Sequence, residues 1–275
     1  MMHRLTQFLF GIIIGIANII PGVSAGTMAV ILGIYDDLIS AISDFFGNPN
    51  ARREKFMFLT FIGSGFITSL VIFSKVLTVI MSHYPQPTFL FFIGLIVGSL
   101  PIVYKSHDNM QPSFSKVSLF LLGLIVMGVL TFGFPTDSIP SVERLTEPSM
   151  MALLFLSFSG FIAAGTMIIP GISGSLLLLL MGSYFIILNA IASFNLQILF
   201  SVAIGAILGI ITLSKVMNWC LQKYPAQSYF LILGLMIGSL MKLWPGLQLN
   251  LLSAISLALA GLGAWLAWHL SRLRQ

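Results

Sequence analysis

The chain reads IIPGVSAGTMAVILGIYDDLI over residues 19–39 and IIPGISGSLLLLLMGSYFIIL over residues 168–188. Both stretches start apolar, are interrupted by Pro-Gly-(Val/Ile)-Ser and turn apolar again. Proline removes a backbone donor and glycine loosens the chain, so a helix stops at this element. In hydrocarbon each backbone group left without a partner costs several kcal/mol. A costly break that occurs twice is a designed feature, and it decides how the rest of the sequence is read.

The similarity extends well beyond the break. Between residues 11–42 and 160–191, at a separation of 149, eleven positions are identical, among them Gly11/Gly160, Pro21/Pro170, Gly22/Gly171, Ser24/Ser173, Gly33/Gly182 and Tyr35/Tyr184. Farther along, at a separation of 140, Ser74-Lys75-Val76 matches Ser214-Lys215-Val216, Tyr84-Pro85 matches Tyr224-Pro225, and Gly98-Ser99-Leu100 matches Gly238-Ser239-Leu240. The longer SDFFGNPNARREK loop of the first half accounts for the change of offset. The chain is therefore a duplication.

With 57% hydrophobic and 8% charged residues over 275 positions, there is too much apolar surface for a soluble core. Apolar runs at 56–82, 88–104, 116–134, 197–222, 228–244 and 248–270 are each near the length that crosses a bilayer. The regions 5–46 and 149–193 are split by their Pro-Gly elements into shorter arms, which predicts hairpins that enter the membrane and turn back. The N-terminal stretch is expected to be retained rather than cleaved as a signal, since Pro21-Gly22 belongs to the repeated unit.

Positive charge supports the re-entrant reading. With the N-terminus inside, Arg4, Arg52, Arg53, Lys55, Lys105, Lys116, Lys223, Arg272 and Arg274 face the cytoplasm. Arg144, and Lys242 at a span end, face outward, and the outer loop also carries Asp137, Glu143 and Glu147. The expected fold is an all-α polytopic membrane protein of two inverted-topology repeats, each a re-entrant helical hairpin plus three transmembrane helices. The first repeat is 1–134, an external loop is 135–148, and the second repeat is 149–275. Because each half crosses an odd number of times, the second lies upside down relative to the first. Both termini are then cytoplasmic.

Chemistry is concentrated at the breaks. In the first copy, Pro21, Gly22, Ser24, Gly26 and Thr27 bring small residues, hydroxyl donors and a following helix start with unpaired N–H groups. In the second, Pro170, Gly171, Ser173, Gly174 and Ser175 do the same from the opposite direction. That pattern suits an anion at the membrane midplane. The alternative is that these residues only permit close helix packing, as expected for Gly98-Ser99.

Lys75 and Lys215 lie inside spans, where a lysine either snorkels to the surface or faces a polar path and pairs with an anion. Asp36 and Asp37 end the first hairpin, where they are either solvated or coupled to protons, and the second copy has Phe185 and Ile186 there.

Several classes are excluded. The single cysteine, Cys220, leaves no disulfide and no thiolate cluster, and the four histidines are scattered, so no metal is expected. No Gly-Lys-Ser/Thr follows the glycines, so this is not a Walker-type ATPase. No nucleophile stands beside a general base, so an enzyme is not expected, and no cofactor is implied. The net charge of +5 sits mainly in short loops, which favours anionic membrane lipid over nucleic acid as a partner.

The paired motifs resemble the domain-of-unknown-function 368 family, whose members are understood as PopT-type polyprenyl-phosphate transporters, and the resemblance covers essentially the whole chain. It implies a protein of the bacterial cytoplasmic membrane that returns undecaprenyl phosphate from the outer to the inner leaflet. The family commonly has an acid where this chain has Asn18, a second glycine where it has Ala25, and an acid where it has Phe185. A path for a small soluble anion such as sulfate or phosphate is the alternative, since helix N-termini bind these too.

Overall fold

The computed structural model describes residues 3–19, 23–43, 52–105, 107, 109–133, 148–246 and 250–272. Pro21, Gly22 and residues 135–147 of the expected external loop lie outside these. Among the described residues all regular structure is α-helical. In chain order the helices are α1 (Arg4–Ile19), α2 (Ala25–Ile31), α3 (Tyr35–Ser43), α4 (Arg52–His83), α5 (Pro85–Lys105), α6 (Phe114–Phe132), α7 (Met150–Thr166), α8 (Gly174–Leu180), α9 (Tyr184–Ala192), α10 (Leu196–Lys223), α11 (Pro225–Leu243) and α12 (Leu251–Arg272).

Six of these, α4, α5, α6, α10, α11 and α12, are long and apolar enough to cross a membrane, so this is a multi-pass membrane protein. Local chemistry sets the ends of several helices. Pro225 opens α11, where its missing N–H costs nothing. Asn195 caps α10 by accepting from the Ile198 N–H at 3.2 Å, and Ser149 caps α7 by accepting from the Ala152 N–H, also at 3.2 Å.

The two broken regions fold alike. One long helix (α1 or α7) leads into the Pro-Gly segment, then a two-turn helix (α2 or α8) and a nine-residue helix (α3 or α9). The sequence predicts one break in each region, and the structure adds a second. Gly33 and Gly182 adopt φ of +66° and +71°, and α8 and α9 meet at 110°. Only glycine takes such a backbone cheaply, which is why both copies place it there.

The helices pack in matching pairs. Helix α1 lies on α4 as α7 lies on α10, and α5 lies on α12 as α11 lies on α6. Glycines let the backbones touch: a Cβ at Gly94 would sit 1.9 Å from the Ala260 carbonyl oxygen, and one at Gly234 would sit 2.1 Å from that of Phe120. The close-packing reading of Gly98 holds too, since a Cβ there would sit 2.2 Å from the Ala264 carbonyl oxygen.

Helices α5 and α11 contact each other at the centre, with 53% and 67% of their most apolar stretches buried against 17–22% in the other four spans. The first hairpin sits against this centre, and Gly26 through Ile31 of α2 are all buried. In the second hairpin, α8 buries only Gly174 and Leu176. The two copies are alike in sequence but unequal in burial.

Candidate functional site

The two motifs meet. Ser24 lies just before α2 in extended backbone and makes no side-chain cap to its own helix. Its Oγ donates across the molecule to the carbonyl oxygens of Met167, at 3.3 Å, and Ile169, at 3.2 Å. The Gly26 N–H donates to the same Met167 carbonyl at 3.1 Å. In return, the Gly171 N–H donates to Thr27 Oγ1 at 2.8 Å. Each unwound segment thus supplies the partners that the other lacks, which answers the cost that the sequence raised.

Close approach is a condition of this contact. A Cβ at Gly26 would stand 2.4 Å from the Ile168 carbonyl oxygen, so only glycine fits there. Gly171 has φ of +91°, and a Cβ on it would stand 2.6 Å from the Leu235 carbonyl carbon and oxygen. That glycine is required twice, by its backbone angle and by its neighbour on α11.

Ser24 and Thr27 are each 1% exposed, and Pro170, Gly171, Ser173 and Gly174 are buried as well. Ser173 and Ser175 pair with each other, their oxygens 2.9 Å apart. The motif predicts that Ser24 and Thr27 donate to a ligand; here Ser24 gives its hydroxyl to main-chain carbonyls and Thr27 accepts from an N–H through its Oγ1. The α2 and α8 helices are each seven residues long, so the donors here are individual N–H and O–H groups rather than the end of a long helix dipole.

The remaining candidates are not drawn into this contact. Lys215 is exposed on α10, while its neighbours Ser214 and Met217 are buried, and the Ser214 hydroxyl has no hydrogen-bond partner. Lys75 lies on α4, and its side chain is outside the described residues. Asp37 is exposed. Asp36 accepts a hydrogen bond at Oδ2 from the hydroxyl of Tyr229, at 2.8 Å, joining α3 to α11.

Two residues escape a reading of the sequence. Tyr229 carries one signal: its counterpart 140 residues earlier is Phe89, so the duplication differs there by a hydroxyl. Lys116 counts in the sequence only as a loop charge, yet it is buried. Its ammonium donates to the carbonyls of Asn109, at 2.8 Å, and Gln111, at 2.9 Å, and to Asn109 Oδ1 at 3.3 Å. Three donors meet three acceptors, which is how a lysine is buried without a carboxylate. Among the described residues no group of three or more His, Cys, Asp or Glu side chains could hold a metal ion.

The arrangement is a buried junction of small residues, hydroxyls and main-chain groups between two broken hairpins, inside a bundle of apolar helices. Known proteins are similar to this chain in sequence. It is 34% identical to a polyprenyl-phosphate transporter of Vibrio cholerae over 89% of this chain and 79% of that protein. It is 31% identical to a polyprenyl-phosphate transporter of Staphylococcus aureus over 89% of this chain and 88% of that one. A phospho-N-acetylmuramoyl-pentapeptide-transferase of Clostridium novyi is 27% identical over 50% of this chain and 42% of that protein. No solved structure matches. The model of the VCA0040-like, undecaprenyl phosphate translocase-like family matches residues 14–256, and the chain belongs to that family.

Proposed function

We propose that this protein carries undecaprenyl phosphate, or a related polyprenyl phosphate, from the outer to the inner leaflet of the bacterial cytoplasmic membrane. The observation that carries the reading is the meeting of Ser24, Gly26 and Thr27 with the second Pro-Gly segment at a buried junction, in a chain whose relatives are named polyprenyl-phosphate transporters. A polyprenyl phosphate has an anionic head that cannot cross hydrocarbon and a tail that can remain in it. Only the head needs shelter.

In this reading the head enters the junction and takes over donors that the two hairpins now give each other. Ser24, Gly26 and Thr27, with Pro21 and Gly22 before them, face Pro170, Gly171, Ser173, Gly174 and Ser175 across the phosphate. Lys75 and Lys215 receive the head at opposite leaflets. Alternating access is a rocking of one half against the other. The matching pairs α1–α4 with α7–α10, and α5–α12 with α11–α6, support two halves of inverted topology, and the loop charges support cytoplasmic termini.

The test is a sided liposome assay with purified protein, following loss of a polyprenyl phosphate from one leaflet while sulfate or inorganic phosphate is present in excess. Lipid movement that the Ser24 and Ser173 variants lose supports the proposal. Permeation of the small ion with the lipid left in place supports the soluble-anion alternative.

A further inference from the structure

The duplication and the structure together expose an asymmetry between the two broken hairpins. Helix α3, the last piece of the first hairpin, seats on α10, the first span of the other half. Tyr35 and Ile39 of α3 are buried in the same core as Met217 of α10. Helix α9 is the repeat counterpart of α3. It packs within its own half, on α7, α8 and α10, and it leaves Leu188 and Ile191 exposed. One seam is closed.

The closed seam is held by a specific bond. The Tyr229 hydroxyl donates to Asp36 Oδ2 at 2.8 Å, tying the start of α3 to α11. Tyr229 is 8% exposed while Asp36 is exposed, so the bond lies where a buried side chain of α11 reaches the surface of α3. The repeat offsets identify the corresponding residues at the other end: Phe185 stands where Asp36 does, and Phe89 where Tyr229 does. Phe185 meets Tyr184 edge-to-face at 5.1 Å, and Phe89 rests partly buried on the core. The duplicated frame thus carries a carboxylate and a phenol in one place and two phenyl rings in the corresponding place.

We propose that Asp36 and Tyr229 are a latch that holds one mouth of the path shut, and that the opposite mouth closes through Phe185 and Phe89 by apolar contact alone. The proposal rests on the two-sided transporter reading above and adds to it which residues govern each side. A hydrogen bond to a carboxylate is directional and stronger than a neutral one, whereas two phenyl rings close by burial without a single required geometry. The two ends therefore open with different ease, so the empty carrier has a preferred resting side. Here it rests with the Asp36 mouth closed.

Cys220 provides a native reporter. It is the chain's single cysteine and lies half-buried on α10, beside Leu221, which packs with Tyr35 in the same core. The experiment reconstitutes the full chain in oriented vesicles without any polyprenyl phosphate and measures its labelling by a membrane-impermeant maleimide from each face. Tyr229→Phe is expected to speed labelling from one face by roughly tenfold, with Asp36→Asn intermediate and the double variant no faster than Tyr229→Phe.

A second variant reads the other mouth. In a Cys220→Ser, Ile80→Cys background, which moves the thiol to the repeat counterpart of Cys220, adding Phe89→Tyr with Phe185→Asp is expected to slow labelling at position 80 from the opposite face. Unchanged rates in Tyr229→Phe and Asp36→Asn at unaltered melting temperature, or equal acceleration from both faces, overturn the latch. Because no lipid substrate is present, a one-sided change in labelling upholds the latch even where lipid transport fails, and that failure then counts against the substrate alone.

Discussion

The Gly171 N–H donates to Thr27 Oγ1 at 2.8 Å, across 144 residues of chain, and is the shortest of the four hydrogen bonds that join the two broken hairpins among the described residues. Its consequence is thermodynamic. Removing the acceptor leaves a buried N–H with no water to turn to. Thr27→Val, which keeps the shape, is expected to destabilise the protein by about 1–3 kcal/mol, while Thr27→Ser restores most of the loss. Unfolding of the purified protein in detergent measures both.

Ser24 tests the site itself. Its hydroxyl serves the Met167 and Ile169 carbonyls when the carrier is empty and, in the proposed cycle, the phosphate when it is loaded. Ser24→Ala is expected to lower sided lipid flux by roughly tenfold, the scale of one hydrogen bond to a charged group, with membrane insertion unchanged. Ser24→Leu, placed at a position 1% exposed, is expected to abolish flux. Wild-type flux in both would remove this motif from the path.

Two glycines with left-handed backbone separate packing from conformation. Gly182 has φ of +71° with open space where an alanine methyl would stand, so Gly182→Ala is expected to cost about 1–2 kcal/mol, the backbone penalty alone. Gly171→Ala adds a collision with the Leu235 backbone and is expected to cost about 3 kcal/mol or more. Comparing the two melting temperatures checks the difference; equal losses would deny Gly171 its contact with α11.

Lys116 is expected to be structural. Lys116→Met keeps the length and apolar stem of the side chain but leaves the Asn109 and Gln111 carbonyls without their donor. The expected cost is about 1–3 kcal/mol in unfolding, with sided lipid flux per folded molecule unchanged. A loss of flux at unaltered stability would assign it to the path.

The two span lysines are expected to differ by side. Lys75→Ala and Lys215→Ala should each slow capture of the lipid phosphate from one leaflet, and from opposite ones. Because Lys215 is exposed on α10, its effect is expected at the membrane face rather than at the buried junction. Equal or absent effects in a sided capture assay would leave both lysines as snorkelling residues.

The sequence by itself determined the membrane class, the six apolar spans, the duplication and the two places where helices stop. Those follow from local chemistry: hydropathy sets the crossings, and proline with glycine ends a helix wherever it stands. It also carried the second break, since Gly33 and Gly182 match in the repeat, though only the positive φ values reveal their role. Tertiary structure alone decided which groups pair. Ser24 with the Met167 and Ile169 carbonyls, Thr27 with Gly171, and Asp36 with Tyr229 are joined across 143 to 193 residues of chain. No local pattern encodes such a partner. It also decided that the first hairpin is buried while the second is partly open, because two copies of one sequence repeat can occupy different packings when each must satisfy the other's backbone in a solvent without water.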